Sequence, residues 1–144
     1  ADVNSADEGG RTALMQLGED ATSELLWDLI NAGANVNHKN SVGETALMWA
    51  ASRNNSDMVK ELLEAGAEVN IANEDGTTAL MLAASSGRVH NVRALVLAGA
   101  SIEARDDDGK NALMHAMENE QRAVIRFLRA KGAVESVALV DDDE

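Results

Sequence analysis

The stretch GETALMWAA at residues 43–51 returns as GTTALMLAA at residues 76–84, 33 positions later. No other feature constrains the fold as strongly. A unit of this length cannot bury its own apolar face and must stack on copies of itself. Residues 34–66 and 67–99 are identical at 16 of 33 positions. The shared residues read A-x-V-N, then N-x-x-G-x-T-A-L-M-x-A-A-S, then a Val, a Leu and a closing Ala-Gly. The period extends both ways without a gap. Gly10, Gly43, Gly76 and Gly109 are equally spaced, as are Gly33, Gly66, Gly99 and Gly132, and so are Leu14, Leu47, Leu80 and Leu113, each followed by Met. The chain is therefore expected to form one domain over 1–138, from units 1–33, 34–66, 67–99 and 100–132, with an acidic C-terminal tail at 139–144.

Each unit has a physical reading. Thr45 and Thr78 precede apolar runs, where a hydroxyl can cap a helix, and Asn111 takes that place in the fourth unit. Ala46-Leu47-Met48-x-Ala50-Ala51 holds good helix formers, with small residues that let neighbouring helices approach. Asn54-Asn55-Ser56 and Ser85-Ser86-Gly87 interrupt. A second helix follows at 57–64, with Val59, Leu62 and Leu63 on one face. Gly66 ends it in a left-handed position. Asp75-Gly76 signals a tight turn. One unit thus reads turn, helix, turn, helix, loop, and the first pair of helices is expected at 12–32.

These residues resemble a known family. D/N-x-x-G-x-T-x-L near the start of the unit and L-x-x-x-G-A-x-V-N at its end are similar to the ankyrin repeat, across all four units. The resemblance implies an all-α solenoid: a curved stack of helix pairs with β-turn fingers projecting sideways. It also implies protein binding through fingertips and inner helices, without enzymatic activity. Departures are informative. The family's Pro is here Ala13, Ala46, Ala79 and Ala112, and its His is Met15, Met48, Met81 and Met114. Methionine fills space and donates no hydrogen bond, so packing between units should lean on apolar contact. The Thr-Ala-Leu-Met form resembles bacterial members. Unit one is degenerate, with Leu17-Gly18 for the Ala-Ala pair and Trp27 where other units carry Lys60, Arg93 and Arg126. Trp27 reads either as an end cover or as a partner anchor. In unit four, Arg122, Arg126 and Arg129 line one helix face, read as a solvated cap or as a docking patch for an acidic partner. The chain opens on Ala1-Asp2-Val3-Asn4, a loop at a unit boundary, which fits a natural cap, lost upstream repeats or a removed signal peptide.

Composition excludes much. With no Cys there is no disulfide, thiolate nucleophile or thiolate metal site. The core must be aliphatic, given two Trp, one Phe and no Tyr. No apolar run suffices to span a bilayer. The net charge of −13 makes nucleic acid and anionic membrane surfaces poor partners and basic proteins good ones. His38, His90 and His115 fall at three different places in the unit, so structural roles are expected rather than a metal pair. Asp106-Asp107-Asp108-Gly109 lacks the spacing and distal Glu of a calcium loop and reads as an acidic fingertip. No phosphate loop or nucleophile elbow occurs. Neither a cofactor, a metal nor an enzymatic activity is expected. The four methionines should form one row in the core.

Positions that vary between units on one side can read a partner. At the fingers these are Glu8 and Arg11; Ser41, Val42 and Glu44; Glu74, Asp75 and Thr77; and Asp107, Asp108 and Lys110. At the ends of the inner helices they are Glu19 and Asp20; Ser52 and Arg53; Ser85 and Ser86; and Glu118 and Asn119, with Trp49 half-buried on its helix. The set is acidic, so a basic protein partner is expected, met by a monomer. Small bacterial proteins resembling this chain can guard a cell against its own exported hydrolases. The resemblance therefore suggests an inhibitor in a bacterial periplasm, with a scaffolding fragment of a larger repeat protein, or a cytoplasmic location, as alternatives.

Overall fold

The computed structural model describes residues 2–18 and 20–133. Among them are seven helices: α1 (Ser23–Asn31), α2 (Ala46–Ala51), α3 (Ser56–Glu64), α4 (Ala79–Ser85), α5 (Val89–Leu97), α6 (Ala112–Glu118) and α7 (Arg122–Ala130). They stack in two rows. In one row α2 packs on α4 and α4 on α6; in the other α1 packs on α3, α3 on α5 and α5 on α7. Within a unit α2 pairs with α3, α4 with α5 and α6 with α7. The result is the all-α helix-pair solenoid that the period implies. The strand-type pairing among the described residues is an isolated bridge between Ala72 and Thr78.

The repeated word builds the inner row. Thr45 accepts from the Met48 N–H, Thr78 from that of Met81 and Asn111 from that of Met114, so each caps its helix. Leu47, Leu80 and Leu113 are fully buried, and Ala50, Ala51, Ala83, Ala84 and Ala116 line the contacts between neighbouring units. Small side chains bring those helices together, and their aliphatic neighbours fill what remains. Met15, Met48 and Met81 are buried as one row; Met114, in the last unit, is only half-buried, with Arg105 against its sulfur at 3.8 Å. Leu26, Val59, Leu62, Val92, Leu95, Val124 and Leu128 supply the core from the outer row.

Unit one corrects the expected pair of helices at 12–32. Its first segment is a single turn, held by the Gln16 N–H on Thr12 and Ala13 carbonyls and the Leu17 N–H on Leu14. Gly18 stands where Ala51 forms the last residue of α2, and glycine has a lower helix propensity than alanine. The Leu17 carbonyl instead accepts from the guanidinium of Arg53, one unit on. Thr12 keeps its buried place, but its Oγ1 has no partner among the described residues. Asn55 also differs from the expected interruption: it is the N-cap of α3, accepting from the Met58 N–H at 3.1 Å.

Side-chain amides join the units. Asn4 donates to the Gly33 carbonyl and accepts from Asn35, Asn37 does the same with Gly66 and Glu68, and Asn70 with Gly99 and Ser101. Glu103, next in this series, cannot donate. At the other end of the inner helices, Asn55 reaches the Ala21 carbonyl, Arg88 that of Ser52 and Gln121 that of Ser85. Asn91, 2% exposed, donates to the carbonyls of Ala51 and Arg53 at 2.9 and 2.8 Å.

Candidate interaction surface

Each finger is built by one side chain. Asp7, Asn40, Asn73 and Asp106 accept through Oδ1 from the N–H groups two and four residues on, at 2.9–3.0 Å in every case. Short polar side chains suit this because they mimic a backbone turn. The backbone closes the same loop: Gly10, Gly43, Gly76 and Gly109 donate to those four residues' carbonyls, with φ between 78° and 84°. Adjacent fingers are then stitched together. Ser41 N–H donates to Gly9, Glu74 N–H to Val42 and Asp107 N–H to Asp75, at 2.9, 3.0 and 2.9 Å.

This stitching uses the backbone of the tip residues and leaves their side chains outward. Glu8, Ser41, Val42, Glu74, Asp75, Asp107 and Asp108 are all exposed, and Val42 is the one large apolar residue at a described fingertip, 45% exposed. Asp20 is exposed as well. Glu19 lies outside the described residues, as do the tail at 139–144 and residues 134–138.

Other positions read from variation also bond within the chain. Glu44 accepts from the Asn40 amide at 2.9 Å, and half-buried Thr77 closes its finger through its backbone. Arg11 pairs with Asp7 at 2.9 Å. Ser52 Oγ donates to the Trp49 carbonyl; Ser85 Oγ accepts from Asn119; Ser86 is half-buried beside it. Lys110 and Glu118 meet at 2.5 Å, joining a finger to the end of α6 and holding the lysine pKa above its ordinary value.

The acidic run at 106–108 divides. Asp107 and Asp108 are tips, but the Asp106 side chain is 7% exposed and 2.7 Å from His115 Nε2. Burial pushes its carboxyl pKa up. The N–H of Lys110, the His115 ring and the N–H of Asp108 outweigh that and hold it below the ordinary carboxylate value. His115 is thus structural, and so is His38, whose Nε2 lies 3.0 Å from the Gly10 carbonyl. No group of residues able to hold a metal ion occurs among the described residues.

Fingers and inner helices share one face. A groove of about 160 Å³ is lined by Glu44, Met48, Trp49, Ser52, Arg53 and Leu82. Half-buried Trp49 carries the Arg53 guanidinium over its ring at 5.4 Å, and its Nε1 is buried without a partner. Leu82 was missed as a lining residue. The signal was available, since it stands 33 positions after Trp49. Trp27, the second candidate anchor, is half-buried on α1. A groove this small is below the roughly 300–1,000 Å³ of small-molecule sites and suits single side chains of a macromolecular partner.

A family model described as ankyrin repeats (3 copies) matches residues 14–106 and 72–138. No match was found among curated proteins.

Proposed function

The chain belongs to the ankyrin repeat family and is a protein–protein interaction module; on that premise we propose that it binds and blocks a basic partner protein through its fingertips. The observation that carries this reading is the row of outward carboxylates Glu74, Asp75, Asp107 and Asp108 on two fingers joined by the Asp107–Asp75 backbone bond. Charges on a pre-ordered backbone attract a partner without a further ordering cost, and they raise association rates more than they deepen affinity. Val42 and the Trp49–Leu82 groove supply apolar contact beside them. The partner class is an exported basic hydrolase, met by a monomer in a bacterial periplasm, where a guard against such an enzyme would act.

The test titrates the protein into basic exported hydrolases and reads both complex formation and residual activity. Reversing Glu74, Asp75, Asp107 and Asp108 to lysine should weaken binding at least about tenfold and flatten its salt dependence, with the helical signal unchanged. Equal binding by the reversed protein sinks the finger-side assignment. Binding that leaves hydrolase activity intact sinks the blocking role and favours a scaffold.

A further inference from the structure

The opposite face of the solenoid has a different chemistry. Along the outer row, α1 carries Glu24 and Asp28, and α3 carries Asp57, Glu61 and Glu64. The series then reverses: α5, VHNVRALVL, and α7, RAVIRFLRA, hold no carboxylate at all. Between these two helices lies a groove of about 170 Å³ lined by Arg93, Val96, Leu97, Phe127 and Lys131. Phe127, the sole phenylalanine of the chain, lies at its floor with Arg93 over the ring at 5.1 Å and Lys131 at 5.6 Å. Leu97 stands at its edge, 86% exposed, more than any other large apolar residue described. No ion pair among the described residues engages Arg93 or Lys131. Arg126, also exposed, is on the same helix as Phe127. The outer helix that flanks α5 on its other side, α3, is the one that carries carboxylates.

We propose that this groove is a second docking surface, and that its occupant is an acidic segment of another protein presenting a leucine-sized aliphatic side chain. Three observations select that chemistry. The volume admits one or two side chains and falls short of the roughly 300 Å³ expected for a small-molecule site. An aromatic floor flanked by two cations binds an aliphatic group while leaving the ammonium and guanidinium edges free for carboxylates. The molecule as a whole has a net charge of −13, so an acidic partner is repelled overall and is drawn to the cations on this carboxylate-free pair of helices. The two faces thus select opposite partners: basic at the fingers, acidic and aliphatic at the outer row.

The test uses the full chain and a fluorescein-labelled peptide of alternating leucine and aspartate, with its leucine–lysine counterpart as control, read by anisotropy. The acidic peptide should bind, and its affinity should fall several-fold between about 50 and about 300 mM salt. Leu97→Ser changes an exposed side chain and should weaken binding about fivefold or more with the fold intact; Arg93→Glu with Lys131→Glu should abolish it. Lysine reversal at Glu74, Asp75, Asp107 and Asp108 should leave it unweakened, which separates this surface from the fingertip reading. Acidic-peptide binding that is insensitive to Leu97→Ser and to the Arg93/Lys131 reversal overturns the proposal. So does concentration-dependent self-association lost on Leu97→Ser, which would make a second copy the occupant.

Discussion

Thr12 and Thr45 occupy the same place in successive units and are both 2% exposed, yet their hydroxyls do different things. Thr45 Oγ1 accepts from the Met48 N–H, whereas Thr12 Oγ1 is buried without a partner because the turn it opens never winds into a helix. Losing a cap costs about 1 kcal/mol, while replacing an unpaired buried hydroxyl by a methyl removes a desolvation penalty of similar size. Thr45→Val should therefore lower the unfolding free energy by about 1 kcal/mol, and Thr12→Val should raise it by up to about 1 kcal/mol, in urea titrations. Destabilisation by both would show that the Thr12 hydroxyl is satisfied after all. Asp106 permits a cleaner electrostatic test, because Asn40 and Asn73 perform its backbone task at their own fingers. Asp106→Asn keeps the two N–H bonds and replaces the carboxylate oxygen facing His115 with a neutral amide group. The folded carboxyl titrates below its unfolded value, so its contribution is fully present above the ordinary carboxylate pKa of about 3.9 and is lost as pH falls through the lower folded value. The variant should be less stable than the parent at pH 5 to 6, and the difference should vanish at the acid end of the titration. A difference independent of pH would assign the loss to packing.

The finger is the element in which the backbone of one unit closes against the next. A Cβ at Gly43 would lie 3.2 Å from Asn73 Cα and 3.2 Å from Glu74 N, whereas at Gly109 it would meet nothing within 4 Å among the described residues. Both glycines have positive φ, 84° and 78°, which costs an L-residue about 1–2 kcal/mol wherever it occurs. Gly109→Ala should show that cost alone. Gly43→Ala should cost about 1 kcal/mol more, since it also pushes the third finger off the second. Equal losses by thermal or urea unfolding would mean that the inter-finger bond from Glu74 to Val42 contributes nothing. The finger also marks the boundary of what the sequence discloses. Gly43, Thr45 and the Leu-Met pair are legible because each does a local job that recurs at a fixed interval. The amides of Asn4, Asn37 and Asn70 recur as well, but their partners lie 29 and 31 residues away and appear only once the units are stacked. Variation between units is a weaker guide than repetition. Arg53 and Lys110 differ from their counterparts, yet one ties Leu17 to the next unit and the other pairs with Glu118. Each therefore has a task within the chain that its variation did not disclose. Asp106 is the converse: it looks like a third fingertip acid by adjacency, and the turn it builds puts its carboxylate inside.

At the scale of the whole molecule, stability is a sum of units and of the contacts between neighbours, so position in the stack decides how much each unit can draw on. Unit three has its inner helix α4 between α2 and α6, and its outer helix α5 between α3 and α7. Asn91 also anchors α5 to the end of the preceding inner helix. Unit one has one described neighbour, a single turn in place of its first helix, and an unpaired buried hydroxyl. Its ties to unit two include the Arg53–Leu17, Asn55–Ala21, Ser23–Glu61, Ser41–Gly9, His38–Gly10 and Asn35–Asn4 hydrogen bonds and the packing of α1 on α3. Opening unit one uncovers one inter-unit interface, with Leu14, Met15, Leu17 and Leu26 on its own side, whereas opening unit three uncovers two. Hydrogen exchange under native conditions should therefore separate the chain into steps. Amides of Ala83 and Leu95 should exchange only with global unfolding, and those of Gln16 and Leu26 should exchange through a partial opening at least about 2 kcal/mol lower. Asn91→Ala strands the carbonyls of Ala51 and Arg53 and should lower the unit-three protection by about 2 kcal/mol, while leaving the early opening of unit one in place. Uniform protection from residue 12 to residue 128 would mean that the degenerate first unit is as firmly bound as the central one, and the nearest-neighbour account of this stack would then be wrong.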